Sequence, residues 1–249
     1  MASVHFDQQQ GVAHIRFNRP ERHNALGREE LAGIENAVAS LNAHTRAVVI
    51  SAEGDKTFCA GADLGQISSG ELDGDRFQSV TNQLAAIEVP TVCAMAGNVF
   101  GGGVELAMSC DFRIAAEDMM MRVPASVIGL CYPIQGIERL VARLGLNTTK
   151  RILVAAEPLS AEQMRELGIV TKLVARDEVL NNALAFAAEL ATRAPLSVRA
   201  MLSIMRDIET DSLDREAAAQ LAKVCSESED LQEGLAASRE RRSPQFKGR

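Results

Sequence analysis

Gly97-Asn98-Val99-Phe100-Gly101-Gly102-Gly103-Val104-Glu105 is the stretch of this 249-residue chain whose reading decides the fold. It joins Thr91-Val92-Cys93-Ala94-Met95-Ala96, β-branched or small and short enough for a buried strand, to Leu106-Ala107-Met108-Ser109-Cys110, small and apolar. The order predicted is strand, glycine turn, helix. Consecutive glycines let a ligand atom approach the backbone, and the first N–H groups of a helix have no partner within it. Such an end binds an anion, and Glu105 stands in its first turn.

A second turn has the same character. Thr57-Phe58-Cys59-Ala60-Gly61-Ala62-Asp63-Leu64 follows the strand-like run Ala47-Val48-Val49-Ile50-Ser51 and is also built of small residues. Two such turns can aim two N–H donors at one oxygen. A bare glycine run is also the ordinary device of a tight turn, so it is the pair that points to a site.

Together these stretches resemble the crotonase, or enoyl-CoA hydratase/isomerase, superfamily. The resemblance runs through Asn18-Arg19-Pro20-Glu21-Arg22-His23-Asn24-Ala25-Leu26, then Phe58 to Leu64, then Gly97 to Asp111, and ends in Ser243-Pro244-Gln245-Phe246-Lys247-Gly248-Arg249. It implies an α/β fold: a spiral of ββα turns over residues 1–190, then a C-terminal helical region, 191–249, at the interface of a homotrimer or a dimer of trimers. The implied substrate is an acyl-CoA thioester, with coenzyme A as part of the substrate, no separate cofactor and no metal. The backbone N–H groups of Ala60 and Gly102 would form an oxyanion hole for the thioester carbonyl, and Glu105 would be one of two catalytic glutamates. Arg22, His23, Ala25, Gly61, Ala62, Asp63, Leu64, Gly101, Pro124, Ala125, Phe246 and Lys247 fall at positions the resemblance assigns to substrate binding.

One position departs from the family pattern. The second glutamate follows a proline that matches Pro124, and here that residue is Ala125, which holds no proton. General acid–base help is worth about 10²–10⁴-fold per group, so water addition loses much of its machinery. Isomerisation or decarboxylation through an enolate needs only Glu105. Tyr132, the one tyrosine, lies in Gly129-Leu130-Cys131-Tyr132-Pro133. Its pairing with Glu105 also resembles the methylmalonyl-CoA decarboxylase branch, in which a tyrosine helps orient the departing carboxylate. Packing alone is the other reading of Tyr132. The alternative to an enzyme is a protein that binds acyl-CoA but has lost efficient turnover.

The totals agree with a folded domain: 47% of residues are apolar and 24% charged. A net charge of −7 argues against a nucleic-acid partner. No apolar run reaches membrane-spanning length, and Met1 to Asp7 lacks a basic region followed by an apolar one, so the expected location is cytoplasmic. Cys59, Cys93, Cys110, Cys131 and Cys225 contain no Cys-x-x-Cys pair and read as small buried residues. The four histidines lack metal-binding spacing, and no Gly-x-Ser-x-Gly elbow occurs.

In order, Val4 to Phe6 and Val12 to Phe17 predict a hairpin, Glu29 to Asn42 an amphipathic helix, and Arg46 to Ser51 a strand. Ser68 to Asp75 reads as a polar loop, and Phe77, Val80, Leu84 and Ile87 as a helix face ended before Pro90. Asp111 to Ala115 and Met119 to Val123 read as strands, and Ile137, Leu140, Val141 and Leu144 as a helix. From Asp177 onward only helices are expected, at Leu180 to Ala187, Leu196 to Ile208, Leu213 to Cys225 and Leu231 to Arg239.

Overall fold

The computed structural model describes residues 2–249. Its strands alternate between two sheets. The larger sheet takes β1 (Val4–Gln9), β2 (Val12–Phe17), β3 (Ala47–Ala52), β5 (Thr91–Met95), β7 (Phe112–Ala116) and β10 (Lys172–Val174), in that spatial order. The smaller takes β4 (Thr57–Cys59), β6 (Asn98–Phe100), β8 (Met120–Arg122) and β9 (Leu159–Ser160). Apart from the β1–β2 and β8–β9 pairs, every neighbouring strand pair is parallel. A chain that crosses from the first sheet to the second, then through a helix back to the first, winds a ββα spiral, and parallel strands require such crossovers. The fold predicted from the resemblance is the fold found.

Helices close each turn of the spiral. They are α1 (Arg28–Ala39), α2 (Leu64–Ser68), α3 (Gly74–Ala85), α4 (Gly102–Ser109), α5 (Ile134–Leu153, kinked at Gly145), α6 (Ala161–Glu166) and α7 (Val179–Ala191). Beyond them lie α8 (Pro195–Glu209), α9 (Arg215–Ser226) and α10 (Glu229–Glu240). α4 is buried from Gly103 through Ser109, so it runs through the core, and apart from Glu105 and Ser109 its residues are small or apolar. The carbonyls at its C-terminal end are taken by two guanidinium groups. Arg113 Nη1 donates to Cys110 (2.7 Å) and Ala107 (3.3 Å), and Arg143 Nη1 donates to Cys110 (2.7 Å) and Met108. Only the N-terminal end of α4 is left for a ligand.

Sequence and structure part in several places. Periodicity missed β4, α2, β6, β9, α6 and β10, all short, and β6 lies within the stretch read as a glycine turn, which therefore begins only at Gly101. The polar stretch from Ser68 to Asp75 contains an anchor, Leu72, which is buried, and Asp73 caps α3 by accepting from Asp75 N–H. On α7 the face turned to the sheet is Val179, Ala183 and Ala187, because small side chains let helix and sheet approach closely. Three cysteines are buried as expected, but Cys131 is exposed and Cys225 half-buried.

Candidate functional site

The two glycine-containing turns touch. Gly61 sits at φ +87°, and a β-carbon there would lie 2.5 Å from the Gly102 nitrogen and 3.1 Å from its Cα. Only glycine fits, for both the left-handed backbone and the close approach. Gly101, at φ 51° and ψ −125°, makes the opposing bend, and its N–H donates to the Arg122 carbonyl at 3.0 Å. That bond ties the turn to the end of β8, three residues before Ala125.

The geometry corrects one expected donor. Ala60 N–H is spent on the His23 carbonyl at 3.0 Å and cannot serve a substrate oxygen. Two residues on, Ala62 bridges Leu26 in parallel fashion: Leu26 N–H donates to the Gly61 carbonyl (2.8 Å) and Asp63 N–H to the Leu26 carbonyl (2.9 Å). Strand alternation then turns Ala62's own N–H away from Leu26. Neither Ala62 N–H nor Gly102 N–H has an acceptor among the described residues. Behind Gly102 lies the Phe77 ring, whose Cζ would be 2.5 Å from a β-carbon at that position, so this side of the turn is dry.

Glu105, in the first turn of α4, is 1% exposed. Its Oε1 accepts from Gln78 Nε2 (2.7 Å) and Thr81 Oγ1 (3.1 Å) on α3, and from Arg139 Nη1 (3.2 Å) on α5. Its Oε2 has no partner among the described residues. Against that oxygen stand Gly136 and Tyr132: a β-carbon on Gly136 would lie 2.6 Å from Oε2 and 2.8 Å from Tyr132 Cε1. The Tyr132 hydroxyl donates to the Gly101 carbonyl at 3.3 Å, which brings the ring across the mouth of the glycine turn. Burial first, and the Glu105 charge second, push the Tyr132 hydroxyl well above its usual range. It therefore stays protonated. Burial lowers the Arg139 guanidinium, and the Glu105 carboxylate opposes that shift.

Gln78, Thr81 and Arg139 were not singled out from sequence. Gln78 and Thr81 interrupt the apolar face of α3 three residues apart, which is a signal that polar side chains face inward to meet something. Arg139 gave no local sign, since it sits beside buried Leu140 on a helix rich in exposed charge.

The other expected residues separate into groups. His23, at φ 55°, lines a cavity of about 590 Å³ with Lys56, Thr57, Ala60, Phe100 and Arg176, on the outer side of the Ala60 turn. Arg22 is exposed and its side chain bonds to nothing among the described residues. Asp63 caps α2 by accepting from Gly65 and Gln66 N–H and pairs with Arg19 at 3.1 Å, a structural task. Ala25 takes part through its carbonyl, which accepts from Arg19. Leu64 is exposed at the start of α2. Pro124 precedes a short 3₁₀ turn over Ala125–Ile128 in which Ala125 is buried, and Val127, Ile128 and Leu130 beyond it are exposed.

Phe246 and Lys247 are not brought to this site. Lys247 and Gly248 N–H donate to the Asp230 carboxylate (2.7 and 2.8 Å), Phe246 lies against Gly234, and Gly248 lies against Pro195. Pro195 borders the crevice of Arg46 and Pro90, where β3 and β5 begin. The glycine turns follow the other end of those strands, so the tail can meet such a site only in another copy of the chain.

Comparison with known proteins gives one answer. The family model described as enoyl-CoA hydratase/isomerase matches residues 7–249. The mouse mitochondrial protein named enoyl-CoA hydratase domain-containing protein 2 is 36% identical over 253 residues, spanning 96% of this chain and 86% of its own. The crotonyl-CoA hydratase of Syntrophomonas wolfei is 29% identical over 253 residues, spanning 98% and 97%. The crystal structure of an enoyl-CoA hydratase from Bacillus anthracis superposes with a TM-score of 0.89 at 26% identity, covering 99% of this chain and 100% of that one.

Proposed function

The chain belongs to the enoyl-CoA hydratase/isomerase family, and on that premise we propose that it transfers protons at the carbon next to the carbonyl of an acyl-CoA thioester, through an enolate. The observation that carries this reading is the pairing, within two touching turns, of two unpartnered N–H groups with one unpartnered carboxylate oxygen. Removing a proton beside a thioester carbonyl, or losing CO₂ from there, leaves negative charge on the carbonyl oxygen. Ala62 N–H and Gly102 N–H, with the positive end of α4 behind the latter, stabilise that charge as it grows. One such donor is worth about 3 kcal/mol of barrier.

Glu105 Oε2 is the proton carrier. In isomerisation it takes the proton from the α-carbon and returns it to the γ-carbon as the double bond moves. In decarboxylation the breaking bond to CO₂ feeds its electrons into the enolate, and a proton that Glu105 takes up from solvent is passed to the α-carbon. Tyr132, kept neutral, offers a hydroxyl on the same wall; the methylmalonyl-CoA decarboxylase-like arm of the proposal rests on it. Ala125 supplies neither acid nor base, which disfavours hydration, although the relatives carry hydratase names. Lys56, on the 590 Å³ cavity, gives a cation to the phosphates of coenzyme A, whereas Arg176 on the same wall is spent on Asp118 and on the carbonyls of Asp55 and Ala96.

The assembly we propose is a homotrimer or a dimer of trimers. Met201, Met205, Ile208, Leu231 and Leu235 on α8 and α10 are exposed, and a second copy would cover them. Light scattering on the purified protein tests that number.

A second reading, acyl-CoA binding without efficient turnover, is favoured by the burial of Glu105 behind Tyr132. One panel separates the two: crotonyl-CoA hydration, 3-enoyl-CoA isomerisation and methylmalonyl-CoA decarboxylation, each with wild type and Glu105→Gln. A large fall in turnover with Glu105→Gln, to a low but measurable rate, supports the enzyme. Calorimetric binding of an acyl-CoA with no turnover in any arm supports the binding protein.

A further inference from the structure

We infer that Arg139, acting with Gln78 and Thr81, is a positioning residue that holds Glu105 by Oε1 and so makes Oε2 the atom that moves the proton. The inference deepens the enolate reading above and rests on it. Gln78 Nε2 and Arg139 Nη1 donate to one oxygen of a side chain that is 1% exposed, and the Thr81 hydroxyl lies 3.1 Å from that oxygen with its single proton shared with the Gln78 carbonyl at 2.9 Å, while the other oxygen has no partner among the described residues. Two helices share the task, so the carboxylate is fixed from two directions.

The donors are themselves fixed. Arg139 Nη2 donates to Asn82 Oδ1 at 2.7 Å, and Asn82 Nδ2 donates to Gln135 Oε1 at 2.6 Å. Gln78 Nε2 also faces Thr81 Oγ1 (3.1 Å) and Asn82 Oδ1 (3.2 Å). The guanidinium fork thus spans from α5 to both Glu105 and Asn82, which a lysine ammonium on a flexible stem does less well. A carboxylate bonded so heavily at one oxygen can neither rotate nor present that oxygen to a substrate. What remains is Oε2, facing the side-chain-free Gly136 and the Tyr132 ring.

Arg139 has a second surface. It lines a cavity of about 730 Å³ between α3, α5 and α8, with Ala86, Val141 and Arg206. A small planar cation can therefore reach the space that an Arg139→Ala variant leaves empty.

The test uses the full chain and whichever substrate of the three-reaction panel turns over. Arg139→Ala is expected to lower kcat by roughly 10²-fold, the scale of a misplaced reacting group, with KM little changed. Added guanidinium chloride should restore most of that kcat, and urea at the same concentration should not. Combining Arg139→Ala with Glu105→Gln should cost nothing beyond Glu105→Gln alone, because the arginine acts through that carboxylate. If Arg139→Ala does not fold, Arg139→Lys carries the test, with an expected loss of about tenfold in kcat because one ammonium cannot serve both oxygens. Wild-type kcat in the folded variants, an effect on KM alone, or additive losses in the double variant would overturn the inference while leaving the enolate reading intact. A fully active Glu105→Gln, or no turnover in any arm, overturns both.

Discussion

Gly61→Ala separates the contact between the two turns from ordinary backbone strain. The alanine methyl would stand 2.5 Å from the Gly102 nitrogen, about 0.9 Å inside the 3.4 Å at which ordinary contact begins, and both partners are backbone. The turns must part by nearly that distance, carrying Ala62 N–H and Gly102 N–H away from a shared oxygen. A shift near 1 Å, or loss of one donor, costs on the order of 10²–10³-fold in rate. The positive φ adds a stability cost of about 1–2 kcal/mol for an L-residue, or roughly 2–8 °C in Tm for a chain of this size. Gly70→Ala is the matched control: its φ is +75°, and a β-carbon there meets nothing within 4 Å. By thermal unfolding Gly70→Ala should lose only that amount, and Gly61→Ala should lose more, because the clash adds about 1–3 kcal/mol to the same strain. Only Gly61→Ala should lose kcat/KM on the active acyl-CoA substrate, while both keep a native circular dichroism spectrum. If Gly61→Ala matches Gly70→Ala in activity, the oxyanion is not bound where these turns meet.

Further predictions follow from single groups. Tyr132 is the one tyrosine and the chain has no tryptophan, so its titration can be read without overlap. Because burial and Glu105 raise its folded value above the unfolded one, near 10, the stability held by that proton is present below pH ~10 and is lost as pH climbs toward the folded value. Tyrosinate absorbance should therefore appear only together with unfolding, and ionisation in the native state near pH 10 would contradict the packing described. Ala125→Glu should raise crotonyl-CoA hydration by about 10²-fold, the low end for an added acid–base group; no gain would mean the new carboxylate does not reach the substrate. Burial pushes the Cys59 thiol up to about 12, against the opposing Gly61 N–H, whereas Cys131 is exposed. Near pH 8 a thiol reagent should modify Cys131 in the native protein and spare Cys59, as mass spectrometry of the labelled peptides would report.

Which parts of this protein its sequence settles, and which it leaves to folding, follows from how far apart the interacting residues are. The strand, glycine turn and helix around Gly97 to Glu105, the alternation of short strands with helices, and the helical C-terminal end are local patterns, and each was readable from periodicity, glycine and capping chemistry. Glu105 and the absence of its companion at Ala125 were legible for the same reason: both lie within short motifs. Partners distant in the chain were not. Whether Ala60 or Ala62 keeps a free N–H depends on the bonds made by His23 and Leu26, which are dozens of residues earlier, and alternation along an extended segment reverses the answer from one residue to the next. The donors that fix Glu105 come from positions 27, 24 and 34 residues away, on two helices whose approach is set by core packing. The tail motif at Phe246 and Lys247 reads as part of a site, yet the fold docks it at the opposite end of the parallel strands. Periodicity indicated mixed α and β, and the motifs that carry the family resemblance indicated the scaffold and its one carboxylate; only packing three elements around that carboxylate decided which oxygen, and which backbone amide, stayed free to act.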